Sequence, residues 1–222
     1  MAGDVIYGRN PVAEAQRGRR RVHRIWTAED TDPAELTRRA GSPDHQGIVA
    51  EVDPFPYADP GALLAAPDAL VVALDQVQDP RNLGAICRSA EAAGASGVVI
   101  CERRAAGVTA AAAKASAGAV EHIPVARVRN LTDWFGTARD AGAWVYGAEA
   151  TAEAAYTTLD LNGRVVLVLG GEATGIRPRV ASACDALVRI PTVGEVGSLN
   201  VSAAATVLLF AASQARSAGQ PG

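Results

Sequence analysis

The feature that most constrains this chain is an alternation of strand and helix patterns that begins near residue 70. Short runs rich in β-branched residues are separated by segments with helical periodicity or by short connections. The runs are LVVALD, GVVIC, HIPVARV, AWVYGAE, RVVLVLG and ALVRIP, and the helical segments lie at 82–93, 108–117, 131–141, 178–183 and 200–216. Strands that alternate with helices form a parallel sheet covered on both faces. We therefore expect an α/β fold with its ligands at the carboxyl ends of the strands.

The chain before residue 70 has a different pattern. Short strand and helix patterns are mixed there, and they are followed by DPFPYADPG, which has three prolines in nine residues. Proline lacks the backbone N–H that a helix interior or a central strand requires, so this stretch favours a connection. We predict three parts, namely a small α/β domain at 1–53, a linker at 54–69 and a larger domain at 70–222.

The composition is that of an ordinary globular protein, with 222 residues, 49% hydrophobic residues and a net charge of −3. The sequence has no apolar run of the roughly 20 residues that a membrane helix needs, and its start lacks the apolar stretch of a secretion signal. We therefore expect a cytoplasmic protein without membrane contact. Cys87, Cys101 and Cys184 are far apart and have no neighbouring His pair, so we expect core cysteines and neither a disulfide framework nor a metal site.

The basic charge is concentrated near the N-terminus. Six arginines lie between residues 9 and 24, where Glu14 is the only acid. Two interpretations stay open: a solvated basic turn in a sequence that uses Arg instead of Lys, or a surface that neutralises phosphates of a nucleic acid. The candidates for phosphate contacts are Arg9, Arg19, Arg20 and Arg21.

The first of three unusual polar junctions is LDQVQDPRNLGAICRSAEAAG. Asp75 closes a predicted strand, Asn82 stands at a predicted helix start, and Arg88 lies six residues further on. Asn82 is either a helix cap that satisfies a free backbone N–H, or a group that faces a ligand. Arg88 has core-like neighbours in the helix, so its guanidinium requires a partner or an anionic ligand.

The second junction is VVLVLGGEATGIRP, in which an apolar strand ends at Gly170 and Gly171 and Glu172 follows directly. This is either a plain turn that uses glycine for a positive φ, or a site where a carboxylate faces a cleft. In the first turn of a following helix, Glu172 would also favour the helix dipole. The glycine spacing differs from GxGxxG and arrives late in the chain, so it disfavours a dinucleotide site.

The third junction is IPTVGEVGSLNVSAAATVLLF, in which a glycine-containing loop leads into an apolar helix. Ser198 and Asn200 flank Leu199 where the loop meets the helix. A helix N-terminus with free N–H groups and a hydroxyl binds anions readily. Taken alone, the same residues could also simply cap the helix.

These three motifs, in this order, resemble those of the SpoU (TrmH) family of RNA ribose 2′-O-methyltransferases. YGRNPVAEA and HQGIVAEV are similar to the ends of the L30-like RNA-binding domain that precedes the catalytic domain in the 23S rRNA guanosine methyltransferase subfamily. The small domain is shorter than that pattern. The resemblance implies an α/β parallel sheet whose C-terminal segment, roughly residues 164–216, is threaded into a trefoil knot.

The resemblance also implies the cofactor and the site. S-adenosylmethionine would lie against Gly170, Ile190 and Leu199. Arg88 would be the central catalytic residue, Asn82 and Glu172 would orient it or the ribose, and Ser198 and Asn200 would contact the RNA backbone or order the loop. RNA would be the substrate, the chain would form a homodimer through the knot region, and no metal would be needed.

Three alternatives remain at this point. The first is a methyltransferase of the same family that acts on tRNA. The second is a protein of the same fold that binds RNA without catalysis, although every motif residue is present. The third is a dinucleotide-dependent enzyme, which the glycine spacing disfavours.

Overall fold

The computed structural model describes residues 3–172, 174–195 and 197–218. Its N-terminal part, which we call the small domain, forms an antiparallel sheet with the strand order β1-β3-β2. The predicted domain boundaries stay a prediction. The elements are β1 (Asp4–Tyr7), α1 (Arg9–Arg17), β2 (Val22–Thr27), α2 (Pro33–Ala40) and β3 (Ile48–Val52). Asp32 caps α2 by accepting the backbone N–H of Ala34, and Gly41 ends this helix in the left-handed conformation. The chain therefore marks both ends of α2 locally.

The larger domain has a seven-stranded sheet in the order β6-β5-β4-β9-β7-β10-β8, and its strands pair in parallel. Its elements are β4 (Leu70–Asp75), α3 (Pro80–Ala92), β5 (Gly97–Cys101), α4 (Ala110–Ala115), β6 (Val125–Val128), α5 (Leu131–Asp140), β7 (Trp144–Ala148), β8 (Ala154–Ala155), β9 (Val165–Gly170), α6 (Pro178–Ala181), β10 (Ala186–Arg189) and α7 (Val201–Ala218). The predicted parallel α/β sheet is thus confirmed. The two-residue edge strand β8 is an addition that the sequence did not indicate. The knot implied for 164–216 stays a prediction.

Both faces of this sheet are buried. Leu70, Val72 and Leu74 of β4 pack with α3, α4 and α7, whereas Val71 and Ala73 pack with α5 and α6 on the other face. Because successive side chains of a strand point to opposite faces, a strand covered on both sides must be apolar throughout. This explains why β4, β5 and β9 read as continuous apolar runs.

The segment 54–69 forms a 3₁₀ turn at Ala62–Leu64 and otherwise contains no helix and no named strand. It is nevertheless packed against the larger domain. Phe55, Leu63 and Leu64 are buried, and Ala58 donates its backbone N–H to the carbonyl of Val125 at 2.8 Å. The predicted linker is thus a connection that lies along the edge of the sheet.

The N-cap of helix α3 lies three residues before the position expected for it. Asp79 is the N-cap and accepts the backbone N–H of Arg81, so Asn82 lies in the first turn with its side chain available for other contacts. A Cβ on Gly84 would lie 2.4 Å from the carbonyl oxygen of Ala112. Glycine there lets α3 and α4 pack closely.

The three cysteines are free, and Cys87 and Cys101 are buried as expected, whereas Cys184 is half-buried. Burial raises the pKa of Cys87 to about 12. Within the described part of the chain, none of the helices has the length and apolar character of a membrane span.

Candidate active site

A cavity of about 510 Å³ lies where β7, β9 and β10 end. Three segments line it: the end of β7, the loop that follows β9, and the chain between β10 and α7. This is the carboxyl edge of the sheet, where the alternating pattern predicts a ligand. Its volume lies within the range of pockets for cofactors and small molecules.

Glycines let the backbone form the inner wall of this cavity. A Cβ on Gly170 would lie 1.9 Å from the carbonyl carbon of Gly175, and Gly175 has a φ of +62° that favours glycine. The backbone N–H of Gly171 donates to the carbonyl oxygen of Asp75 at 2.9 Å, and the carbonyl oxygen of Gly171 accepts the N–H of Gly175 at 3.0 Å. The second junction therefore forms a tight turn. Because glycine has no side chain, Gly170, Gly171 and Gly175 leave the cavity open to a ligand.

Asp75 holds both ends of this loop, Gly171 through its backbone carbonyl and Arg177 through its buried carboxylate. Asp75 is fully buried and accepts the backbone N–H of Arg177 at 2.8 Å. Its other oxygen accepts Nε of Arg177 at 2.8 Å and lies 2.6 Å from a terminal nitrogen of the same guanidinium. The hydrogen bond to Asp75 raises the pKa of Arg177. The sequence drew attention to Asp75 as the end of a strand but gave no sign of its partner Arg177.

The three motifs meet in one chain of hydrogen bonds. Asn82 Nδ2 donates to Glu172 Oε1, and Asn200 Nδ2 donates to Asn82 Oδ1 at 3.3 Å. Glu172 and Asn200 line the cavity, so Asn82 reaches its edge through them. Ser198 lines the same edge. We call Asn82, Glu172, Ser198 and Asn200 the polar rim.

Asn200 caps α7, as one of the two interpretations predicted, and it also bonds to another motif; the binding of an anion at this helix end stays a prediction. Its Oδ1 accepts the backbone N–H of Ser202 at 2.8 Å and the hydroxyl of Ser202 at 2.6 Å, so it caps α7. Its Nδ2 points the other way, to Asn82. Glu172, in contrast, does not lie in a first helical turn, because the next helix, α6, starts only at Pro178. The expected contribution of the helix dipole at Glu172 is therefore wrong.

The three residues expected to hold a cofactor line the cavity. These are Gly170, Ile190 and Leu199, and Leu169 and Val188 add apolar surface. Glu149 is a lining residue that the sequence reasoning missed, although its position directly after β7 follows the same rule of strand ends that singled out Glu172. Among the described residues, no group of three or more His, Cys, Asp or Glu side chains is suited to a metal ion.

Arg88 lies elsewhere. Its side chain is exposed and does not line the cavity, and among the described residues it has neither a hydrogen bond nor an ion pair. Six helical residues carry it about 9 Å along the axis from Asn82 and about 240° around it. The premise that core-like neighbours enclose Arg88 is therefore wrong, because α3 turns this position outward while Ile86 and Cys87 face the core, and an anionic ligand for Arg88 stays a prediction.

The four N-terminal arginines divide into two pairs. Arg9, Arg19 and Arg21 are exposed. Arg19 and Arg20 nevertheless contact the larger domain. Arg19 donates to the carbonyls of Val120, Glu121 and Ile123, and burial lowers its pKa. Arg20 is buried and forms an ion pair with Glu121, so the phosphate contact expected of Arg20 is corrected to a contact between the two domains.

Fold and site together define a class of protein. A parallel α/β sheet that carries a glycine-walled cavity and a rim of amide, hydroxyl and carboxylate groups at its carboxyl edge is the architecture of an enzyme that handles a nucleotide-like ligand. The model of the SpoU rRNA methylase family matches residues 69–210 of this chain, which hold the sheet, the cavity and the rim. The chain belongs to the SpoU rRNA methylase family.

Known proteins agree with this assignment. The chain is 37% identical over 233 residues to YacO of Bacillus subtilis (strain 168), a protein assigned to the TrmH family of tRNA/rRNA methyltransferases, and the match covers 93% of this chain and 94% of YacO. The structure of the AdoMet-bound rRNA methyltransferase of Sinorhizobium meliloti has a TM-score of 0.84 and 26% identity, covering 99% of this chain and 89% of that one. The structure of an RNA 2′-O ribose methyltransferase shares the fold, with a TM-score of 0.79 and 24% identity over 96% of this chain and 88% of that one.

Proposed function

We propose that this protein uses S-adenosylmethionine to methylate the 2′-hydroxyl of a ribose in 23S rRNA, with guanosine as the target nucleoside. The observation that carries the proposal is the chain of hydrogen bonds from Asn200 through Asn82 to Glu172 at the edge of the cavity. An amide and a carboxylate fixed beside a cofactor-sized cavity suit a reaction in which one hydroxyl must be held and lose its proton.

The cavity fits S-adenosylmethionine by chemistry as well as by size. Gly170 and Gly171 allow close approach to the backbone, and Ile190 and Leu199 offer apolar surface to a purine. When bound, the cofactor supplies a methyl group that a sulfonium makes electrophilic. The similar rRNA methyltransferase of Sinorhizobium meliloti was crystallised with AdoMet bound, which supports the same cofactor here.

Within the polar rim, each residue has a separate task. Glu172 accepts the proton of the ribose 2′-hydroxyl, since a carboxylate is the one ionised acceptor of the rim. Asn82 holds Glu172 and Asn200 in one orientation through its two hydrogen bonds. Ser198 and the exposed part of Asn200 contact the RNA backbone. Most of the catalytic effect then comes from positioning.

Arg88 serves as a cation in this scheme, because a guanidinium does not deprotonate near neutral pH. Its exposure on the outer face of α3 separates it from the cavity of its own chain. We therefore place it at the cavity of a second subunit in a homodimer, where it stabilises the developing alkoxide. Phe210 of α7 is 41% exposed, and such apolar surface favours the dimer.

The experiment that tests the reaction incubates the protein with tritium-labelled S-adenosylmethionine and separate pools of unmethylated rRNA and tRNA. We expect label in 23S rRNA, and mapping of the labelled nucleotide to a 2′-O-methylguanosine. If label appears only in tRNA, the substrate is tRNA in place of rRNA, and the proposed methylation reaction still holds. Label in a base, or in no RNA, would contradict the proposed reaction.

The place of Arg88 has its own test. We expect Arg88→Ala and Asn82→Ala to be inactive alone, because each removes one part of every site. If Arg88 completes the cavity of the second subunit, a mixture of the two variants forms heterodimers with one intact site and regains up to about a quarter of the wild-type rate. A mixture that stays inactive after subunit exchange would contradict the arrangement.

A further inference from the structure

Four exposed arginines lie at the carboxyl ends of two adjacent strands, on the same edge of the sheet as the cavity. Arg103 and Arg104 follow β5, Arg127 lies in β6, and Arg129 follows β6. We call these four the β5–β6 arginine surface. They lie outside the basic N-terminal cluster of six arginines between residues 9 and 24.

The sheet order places this surface beside the reaction site. Strand β9, whose end forms the cavity wall, neighbours β4, which neighbours β5 and then β6. Neighbouring strands are about 4.8 Å apart, so the ends of β5 and β6 lie about 10 and 14 Å from the end of β9. An RNA strand covers such a distance in a few nucleotides, so RNA that enters the cavity also reaches this surface.

The surface carries an excess of positive charge. Glu102 is the carboxylate that pairs with it, 3.8 Å from Arg129, whose side chain is 92% exposed. Among the described residues, Arg103, Arg104 and Arg127 have no carboxylate within ion-pair distance. A chain with a net charge of −3 therefore presents several uncompensated cations together at this edge.

The surface is also built to hold its shape. The guanidinium of Arg127 lies 3.7 Å from the ring centre of Tyr57 and donates to its hydroxyl, which in turn accepts the backbone N–H of Val108 at 3.0 Å. Ala106 donates its N–H to Val77 at 2.8 Å and so ties the loop after β5 to the segment that leads to α3. These contacts reduce the entropy lost when a ligand binds.

The backbone supplies a further observation. Arg104 has a φ of +56°, a left-handed conformation that few residues other than glycine adopt. Such strain persists where the surroundings enforce it, and it is concentrated at binding and catalytic sites. In this loop it sets the direction in which the chain presents two consecutive arginines.

We infer that the β5–β6 arginine surface binds the phosphates of the substrate RNA on one side of the methylated nucleotide. This inference rests on the proposed function and extends it by a surface outside the cavity. Arginine suits the task because its planar fork of donors matches phosphate geometry. The contacts position the RNA without reading its bases.

The test compares Arg103→Gln/Arg104→Gln with the control Arg38→Gln/Arg179→Gln, which removes the same charge from two exposed arginines outside both the β5–β6 arginine surface and the N-terminal basic cluster. The probe is an rRNA fragment that contains the mapped nucleotide, and fluorescence anisotropy gives its affinity at several salt concentrations. The logarithm of the association constant decreases linearly with the logarithm of the salt concentration. For the surface variant we expect this slope to become less steep by about 1.4, which is about 0.7 for each lost single-strand contact. We also expect KM for RNA to rise about tenfold with kcat, cofactor affinity and melting temperature unchanged. The control should change none of these.

An unchanged salt slope and KM in the surface variant, with a wild-type protein that methylates rRNA, would overturn the inference and leave the proposed function intact. An equal loss in the control would also overturn it, since net charge alone would then explain the effect. If the wild-type protein methylates tRNA and not rRNA, the same comparison is made with a tRNA fragment that contains the mapped nucleotide, and a smaller salt dependence in the surface variant would support the inference and overturn the proposed rRNA target. Arg103→Glu/Arg104→Glu should weaken binding further.

Discussion

Two polar clusters of this protein use similar residue types for opposite purposes. Between the domains, Arg20 and Glu121 form an ion pair whose side chains are 2% and 1% exposed, and Arg20 also lies 5.4 Å from the ring centre of Phe55. At the cavity, Asn82, Glu172 and Asn200 are also joined by hydrogen bonds, but Glu172 and Asn200 are exposed. Burial leaves the first cluster no free group for a ligand. The exposed rim keeps donors and acceptors available for one.

In this chain, burial separates structural roles from chemical roles more than residue type does. A buried ion pair holds its partners because removing one leaves an uncompensated charge. An exposed group can be removed with little effect on folding, so any large effect of its loss must come from binding or catalysis. The four predictions below test this separation in order of expected size.

The largest expected effect follows from Glu121→Ala, which removes the buried partner of Arg20 and leaves it only the half-exposed Asp4 at 3.6 Å among the described carboxylates. We expect the free energy of unfolding to fall by about 3–5 kcal/mol, measured by urea denaturation. The control is Arg17→Ala, which breaks an exposed pair with Glu14 and should cost less than about 1 kcal/mol. A loss for Glu121→Ala as small as that of the control would remove the contrast between the clusters.

The second prediction concerns Asn82→Ala. Loss of the residue that fixes both Glu172 and Asn200 should lower kcat by about 10²–10³-fold, as for other preorganised groups. The melting temperature should stay close to that of the wild type, because Asp79 is the cap of α3. Asn130→Ala is the matched control: it removes the cap of α5 and should cost about 1 kcal/mol of stability with normal kcat. Destabilisation by Asn82→Ala with normal kcat would show that the rim is structural.

The third prediction concerns Asp75, which is buried like the interdomain pair but holds a loop of the cavity. Asp75→Asn replaces an acceptor by an amide that must turn one donor toward the donors of Arg177. Hydrogen bonds to charged groups are worth about 1.5–3 kcal/mol, so we expect S-adenosylmethionine to bind about 10- to 100-fold more weakly. Isothermal titration calorimetry measures this. Normal affinity in a folded variant would show that the loop holds its shape without Asp75.

The smallest effect concerns the exposed edge of the domain interface. The hydrogen bond from His122 to Glu14 lowers the pKa of Glu14 below its ordinary value of 4.5. A carboxylate with a lowered pKa stabilises the fold above its unfolded pKa, and this contribution is lost as the pH falls through the folded pKa. Glu14→Gln should therefore melt slightly below the wild type at neutral pH, and the difference should vanish as the pH falls through the lowered pKa of Glu14. Glu29→Gln, at an exposed glutamate, is the control, and a difference for Glu14→Gln that persists in acid would contradict the assignment.

Much of the site followed from local patterns. The β-branched runs predicted the parallel strands, because only apolar strands can be buried on both faces. Since parallel strands end at one edge, the polar residues after them were expected to converge, and Gly170, Glu172, Ile190, Ser198, Leu199 and Asn200 do line one cavity. The family resemblance supplied the cofactor and the reaction, which the pattern alone could not name.

The sequence by itself therefore determined the sheet, its covered faces and the edge that carries the chemistry, because these depend on periodicities of two and 3.6 residues that a chain shows locally. Only the tertiary structure decided which charged residues are buried. Arg20 meets Glu121 across 101 positions of sequence, Arg177 meets Asp75 across 102, and Arg88 meets no described partner. Whether a charge is covered depends on segments that fold over it from far along the chain, and no local pattern records that.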